Sequence, residues 1–324
     1  MDERIAEIAK WLPRGLELKN KASLSNYTTL QAGGDAEWLL EVRRIDDFAE
    51  VSVLCQSLGL PHLLLGSGSN ILPSDKGVPG LTIVNLCSRI SLDDEPYAET
   101  GCWFQDLFLA TAQAGLTGLE FAVGIPGTLG GALVSNAGAY RASIADRLSG
   151  IEWVCEGQRQ WTSTDRLKFS YRDSILRTEK PPPIALLAVR LNLERGDAKH
   201  IYNQARDYQQ QRILKQPPHP SAGSFFKNVY NHELANQLPN LPDKMKDVGV
   251  VPSGYLIESC GLKGTTNGHA KISELHANFI CNLGGSSATD IRNLANYAKK
   301  IVAEKYGVLL EEEVLYIGDW SSEE

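Results

Sequence analysis

The octapeptide SAGSFFKN, Ser221–Asn228, combines hydroxyls, a glycine, paired aromatics, a lysine and an amide. A surface loop has no use for adjacent phenylalanines, and a core strand does not accept Lys227 and Asn228. A segment anchored in a core and turned toward a ligand needs all of them. Two glycine-rich loops lie upstream. GSGSN, Gly66–Asn70, follows the apolar run HLLL directly, so its backbone N–H groups can converge on an anion without Cβ obstruction. GIPGTLGGALVSNAGAY, Gly124–Tyr140, is denser, and its middle is helix-forming, which predicts a helix N-terminus facing a phosphate. One such loop reads as a tight turn; two in one α/β domain point to a diphosphate cofactor. Near the C-terminus Glu311-Glu312-Glu313 lies in VLLEEEVLYIG, and strand alternation puts Glu311 and Glu313 on one face and Glu312 on the other.

Other chemistries lack their motifs. No GxGxxG joins an early strand to a helix, and no GxxxxGK[ST] occurs, so neither a nicotinamide fingerprint nor a P-loop is present. The 6 histidines form no HExxH, and no metal site is expected. The formal net charge of −7 gives a nucleic-acid role no support. The 6 cysteines form no CxxC pair; Cys87 and Cys281 end apolar runs and read as buried. MDERIAEIAKWL is no signal peptide, and no apolar run reaches a membrane-spanning length, so a cytoplasmic protein that binds neither membrane nor nucleic acid is expected.

The elements that must position these groups alternate in the first half. Ile5, Ile8, Trp11 and Leu12 give a surface helix. AEWLLEV, HLLLG and LTIVNL read as strands, IDDFAEVSVLCQSLGL and Trp103–Gly115 as helices closed by glycine. Ser149–Leu193 is β-rich, Asp197–Leu214 is a polar helix, and the chain changes character around QPPHPSAG. SGYLIESC and Ala288–Tyr306 then read as helices, HAKIS, ANFICN and VLLEEEVLYIG as strands.

The ordered blocks TTLQAGG, GSGSNIL, GLEFAVGIPGTLGGALVSNAGAY, FSYRDS, SAGSFFKN, YLIESCGLKG, HAKIS with HANFICN, and LEEEV resemble the UDP-N-acetylenolpyruvoylglucosamine reductase family from about Tyr27 to about Gly318. The resemblance implies an α+β chain. Residues 1–196 would form an FAD-binding module of the vanillyl-alcohol-oxidase type, two α/β subdomains split near 75–90. Residues 197–324 would form a smaller α+β substrate-binding domain with a closing C-terminal strand. It implies FAD and NADPH as cofactors, UDP-N-acetylglucosamine enolpyruvate as substrate, and a monomer or small homo-oligomer. It places the catalytic roles on Arg172, Ser224 and Glu313. Arg172 would hold the substrate carboxylate, and Ser224 would protonate C2. FAD would lie against Gly66, Ser67, Gly68, Ser69, Asn70 and Ile71, and against Gly124, Ile125, Pro126, Gly127, Thr128, Gly130, Gly131, Ser135, Asn136, Gly138 and Ala139. Lys215, Lys227, Asn228 and Asn278 would contact the sugar nucleotide.

Two departures stand out. RTEKPPP runs straight on to a strand, as in the shorter variant of the family that lacks a tyrosine-bearing loop over the UDP. A polar insertion follows SAGSFFKN, and its attachment beside the site suggests that Asn231–Val250 forms a partial lid over the substrate cleft; a neutral surface elaboration is the alternative. Three other functions compete: a related flavin oxidoreductase acting on a small alcohol or sugar, a non-catalytic UDP-sugar-binding protein, and a nicotinamide-only dehydrogenase. GSGSNIL holds no histidine to tether a flavin, so the flavin would be dissociable.

Overall fold

Ile5 and Ile8 share one face of the helix Glu3–Trp11 and are buried, as their spacing requires. This helix opens the computed structural model, which describes residues 2–321. The chain forms two compact units. The first runs to Ala22 and takes in Ala36–Gly68 and Pro79–Leu214; the second takes in Ser23–Asp35, Ser69–Val78 and the chain from Lys215 onward.

In the first unit, strands Leu18–Ser23, Asp35–Val42, Val78–Asn85 and His62–Leu65 lie side by side in that order. His62–Leu65 runs parallel to Val78–Asn85, with Leu63 opposite Thr82. The crossover helix Ile45–Leu58 ends where Gly59 enters the left-handed region (φ 57°). A second, antiparallel sheet orders Gln158–Thr162, Leu148–Cys155, Ile184–Leu191, Tyr97–Glu99 and Ile90–Ser91. Its two long central strands, Leu148–Cys155 and Ile184–Leu191, are mostly apolar because each face meets a core. Trp153 and Leu186 pack with Phe104 and Phe108, whereas Val154, Ala185 and Leu187 pack with Phe48. The helix Ala198–Ile213 buries Ile201 and Ala205 among the Phe104 cluster. It therefore belongs to the first unit, not to the C-terminal part in which the sequence boundary at 196/197 placed it.

In the second unit, Thr266–Asn267, Ala270–Ile272 and Ile280–Asn282 form an antiparallel sheet. The helix Ala288–Tyr306 packs Ile291, Leu294, Ala298 and Val302 into a core that also holds Phe225, Phe226, Leu30 and Leu72. Leu315–Ile317 pairs in parallel with Ile71–Pro73. The long closing strand expected from Val308 is not regular: before Leu315 it makes one isolated bridge, Phe226 to Glu312.

The insertion is a folded excursion. Val229 and Tyr230 pair with Val251 and Val250, closing two short helices, His232–Gln237 and Asp243–Asp247. Leu234, Ala235, Leu238 and Leu241 are buried in the second unit's core. These core contacts make the segment a fixed part of the unit, so any cover it gives the cleft is a static one.

Helix Ala288–Tyr306 is capped twice. Ser287 and Asp290 form a capping box, and the Asp75 carboxylate accepts from the N–H groups of Ala288 and Thr289, both at 2.8 Å. Thr289 Oγ1 donates to it as well, at 2.7 Å. Asp75→Ala is expected to destabilise the fold by about 1–2 kcal/mol, the range of a lost cap. A shift in the urea midpoint at unchanged slope would show it; no shift would leave the capping box sufficient alone.

Candidate active site

In the first unit the two glycine loops meet. A Cβ on Gly66 would stand on Thr128 Oγ1, so only glycine lets the strand end approach the second loop. Thr128 caps the helix Leu129–Val134 by accepting from Gly131 N at 3.4 Å. The other first-turn N–H groups are also taken: Leu129 donates to Cys102 O (2.9 Å) and Gly130 to Thr100 O (2.7 Å). The expected phosphate site at this helix terminus is thus closed by protein acceptors. The open donors lie in the first loop. The N–H groups of Ser67 and Gly68 have no protein acceptor among the described residues. Ser67 Oγ is buried without a partner among them. An orphaned buried hydroxyl beside free backbone donors suits a phosphate oxygen, so these residues fit FAD.

Downstream, Asn136 adopts φ 43° and donates to Ser170 O at 2.8 Å, while its Oδ1 accepts from Ala145 N at 3.3 Å. Its side chain, expected at the cofactor, is spent on positioning the FSYRDS turn. That turn is tight: Ser170 and Asp173 exchange backbone hydrogen bonds at 3.1 and 3.3 Å. Arg172, within it, holds φ 53°, and its Nη2 donates to Gly138 O. A non-glycine residue in this region costs about 1–2 kcal/mol, and such strain clusters at functional sites.

Arg212 was missed by sequence reasoning. Its side chain lies against Gly124 and over the Tyr140 ring, 5.8 Å from the centroid. Tyr140 in turn stacks on Tyr208, centroids 3.6 Å apart. Arg212 Nε is buried without a hydrogen-bond partner among the described residues. Burial lowers its pKa, and the nearby positive charge of Arg172 adds to the lowering. The available signal was the spacing of Tyr208 and Arg212, one helical turn apart on the same face.

In the second unit the structure brings Ser224 and Glu313 together through backbone. Glu313 N donates to Phe225 O at 2.9 Å, and Lys227 N donates to Glu311 O at 2.8 Å. Phe225 and Phe226 are fully buried, so the hydroxyl before them rides on a fixed anchor. Ser224 Oγ and the Asn228 carboxamide, both half-buried, have no hydrogen-bond partner among the described residues. The three acids separate: Glu311 pairs with Lys227 at 2.5 Å and Glu312 with Lys299 at 2.7 Å. Glu311, which strand alternation puts on the face of Glu313, is thus committed to an ion pair with Lys227. Lys227, expected to reach the sugar or its diphosphate, is buried and ion-paired instead. Asn70 and Ile71, expected at the flavin, also hold this region. Asn70 Nδ2 donates to Glu313 O and its carbonyl accepts from Leu315 N, both at 3.0 Å, while Ile71 lies opposite Leu315.

Asn278 is only 4% exposed, and its carboxamide bonds the Phe226 backbone. It is not free to contact a sugar nucleotide. His276 accepts Asn278 N–H on Nδ1 at 3.2 Å. Burial and then the nearby Lys215 hold its pKa down, and accepting on Nδ1 assigns the neutral ring's proton to Nε2.

Strand-borne glycine loops with open donors and a buried, unpartnered hydroxyl fit a flavin-binding oxidoreductase. The description "FAD binding domain" matches residues 36–162, and "UDP-N-acetylenolpyruvoylglucosamine reductase, C-terminal domain" matches 215–317. The chain belongs to the UDP-N-acetylenolpyruvoylglucosamine reductase family. The Caldicellulosiruptor saccharolyticus reductase is 37% identical over 95% of this chain and 96% of its own length. The Bacillus subtilis reductase is 36% identical over 98% and 99%. The solved Thermus caldophilus reductase superposes with a TM-score of 0.74 at 31% identity, covering 93% of this chain and 98% of that one. Among the described residues no helix is long and apolar enough to cross a membrane.

Proposed function

We propose that this chain reduces the enolpyruvyl group of UDP-N-acetylglucosamine enolpyruvate to UDP-N-acetylmuramate, an FAD- and NADPH-dependent step of peptidoglycan precursor synthesis. The reading rests on family membership and on one local observation. Glu313 N–H on Phe225 O fixes an acid beside the segment that carries Ser224.

The first unit supplies the flavin-binding loops, with Ser67 and Gly68 donating to a phosphate. FAD held by these loops would supply hydride transfer from NADPH to C3 of the enolpyruvyl group. The C2–C3 double bond thereby becomes single, and C2 needs a proton. Ser224 Oγ gives that proton and regains one from water. Negative charge building at C2 and its carboxylate is held by Arg172, whose turn geometry is set before substrate arrives. Arg212 adds a second cation for an anionic group of the ligands. Glu313, when protonated, would donate a hydrogen bond to the same charge. Lys215, His276 Nε2–H and Asn228 are the second unit's polar contacts for the sugar nucleotide. The reaction belongs in the cytoplasm, with the enzyme a monomer or small homo-oligomer.

The test is anaerobic absorbance of the purified protein near ~450 nm, where the flavin reports its redox state. NADPH bleaches the band, and the enolpyruvyl sugar nucleotide restores it. Bleaching without recovery would retain a flavoenzyme and discard the substrate.

A further inference from the structure

Phe225–Phe226 is a short extended segment with two edges. One edge faces Glu311–Glu313 through Glu313 N to Phe225 O and Lys227 N to Glu311 O. Among the described residues the other edge has no full strand beside it, which would leave buried peptide groups unsatisfied. Asn278 alone fills that place. Its carbonyl accepts from Phe225 N at 2.7 Å. Its carboxamide then acts as the next peptide unit: Oδ1 accepts from Phe226 N at 3.0 Å, and Nδ2 donates to Phe226 O at 2.8 Å. The main chain of Asn278 is itself held by His276 Nδ1. Ser224 is covalently the next residue, and Glu313 is tied to the same Phe225 peptide from the opposite edge.

We propose that Asn278 is a positioning residue that sets Ser224 relative to Glu313, so that the proton reaches C2 in register with hydride arrival. This rests on the function proposed above. Asn278 touches neither substrate nor flavin in this reading, so it acts on one half-reaction only. Asn278→Leu keeps the volume and loses both side-chain hydrogen bonds. Asn278→Asp keeps the shape and lacks the donor when ionised, but a protonated carboxyl both accepts and donates as the amide does. Burial and the facing Phe226 carbonyl raise that carboxyl's pKa, so the donor form returns as pH falls.

The experiment is anaerobic stopped-flow on FAD-loaded wild type, Asn278→Leu and Asn278→Asp, following the two half-reactions separately. Reoxidation by the enolpyruvyl sugar nucleotide is expected to slow roughly 10- to 100-fold in both variants at about pH 8, the scale of a misplaced catalytic group. Bleaching by NADPH should stay within about twofold of wild type, since no hydrogen bond of Asn278 reaches the flavin loops. The Asn278→Asp deficit, taken as a ratio to wild type, should shrink as pH is lowered toward about 5.5, while the Asn278→Leu deficit stays constant. Equal slowing of both half-reactions, or a pH-independent deficit in Asn278→Asp, would overturn the assignment. So would unchanged reoxidation with weaker sugar binding, which would make Asn278 a ligand contact. Wild type that bleaches but is never reoxidised would overturn the proposed function, and this inference with it.

Discussion

Ser224→Ala is expected to yield a protein that NADPH still bleaches and the enolpyruvyl sugar nucleotide no longer restores. Removal of a general acid costs about 10²- to 10⁴-fold, and here the cost should fall wholly on the oxidative half-reaction. The structure makes this a clean substitution. Ser224 Oγ is half-buried and has no hydrogen-bond partner among the described residues, so its loss strands no buried group. Phe225 and Phe226 remain in the core and Glu313 N–H keeps its acceptor, the Phe225 carbonyl. Thermal stability should therefore match wild type, and sugar-nucleotide affinity should change little. Rapid reoxidation of the variant would remove Ser224 as the proton source and turn attention to Glu313.

Arg172→Gly should separate activity from stability. In the proposed function the guanidinium would face charge that develops during reaction, and loss of one such group costs about 10²- to 10³-fold in turnover. At φ 53° the same backbone is strained for arginine and easy for glycine. Relief of about 1 kcal/mol opposes loss of the Gly138 hydrogen bond and of the contact with the Tyr171 ring, 5.5 Å to its centroid. The variant is expected to melt within a few degrees of wild type while reoxidation collapses. A steep drop in melting temperature with activity retained would make Arg172 a structural residue. Arg172→Lys keeps charge and strain but loses the planar fork, so it should recover only part of the rate.

The regular elements were legible wherever periodicity was strong. Ala288–Tyr306 agrees at both ends, because a capping serine and a glycine stop bracket an unbroken apolar stripe. The glycine loops were legible as loops, but not which N–H groups they leave open, since Cys102 and Thr100 lie more than twenty residues before their partners' helix. The fates of Lys227 and Asn278 were illegible for a related reason. Glu311 and Phe226 lie 84 and 52 residues from them, and nothing local announces the pairing. Residues that build the site's frame thus resembled residues that touch its ligand. That the insertion is anchored was illegible because its leucines are scattered in a polar segment, and only packing shows that they reach a core.

The second unit's composition from three separated stretches has a consequence for the order in which the chain matures. Asn282 Nδ2 clasps Leu30 O and Gln31 O at 2.9 and 3.1 Å, and Asp75 waits for the helix at Ala288. During synthesis, Leu30 and Leu72 emerge long before the core that shelters them exists. They stay wet until the last third of the polypeptide leaves the ribosome, and contacts of such high order close slowly. A gene fragment beginning at Lys215 lacks both stretches, so its product would expose the cavities they fill and aggregate rather than fold.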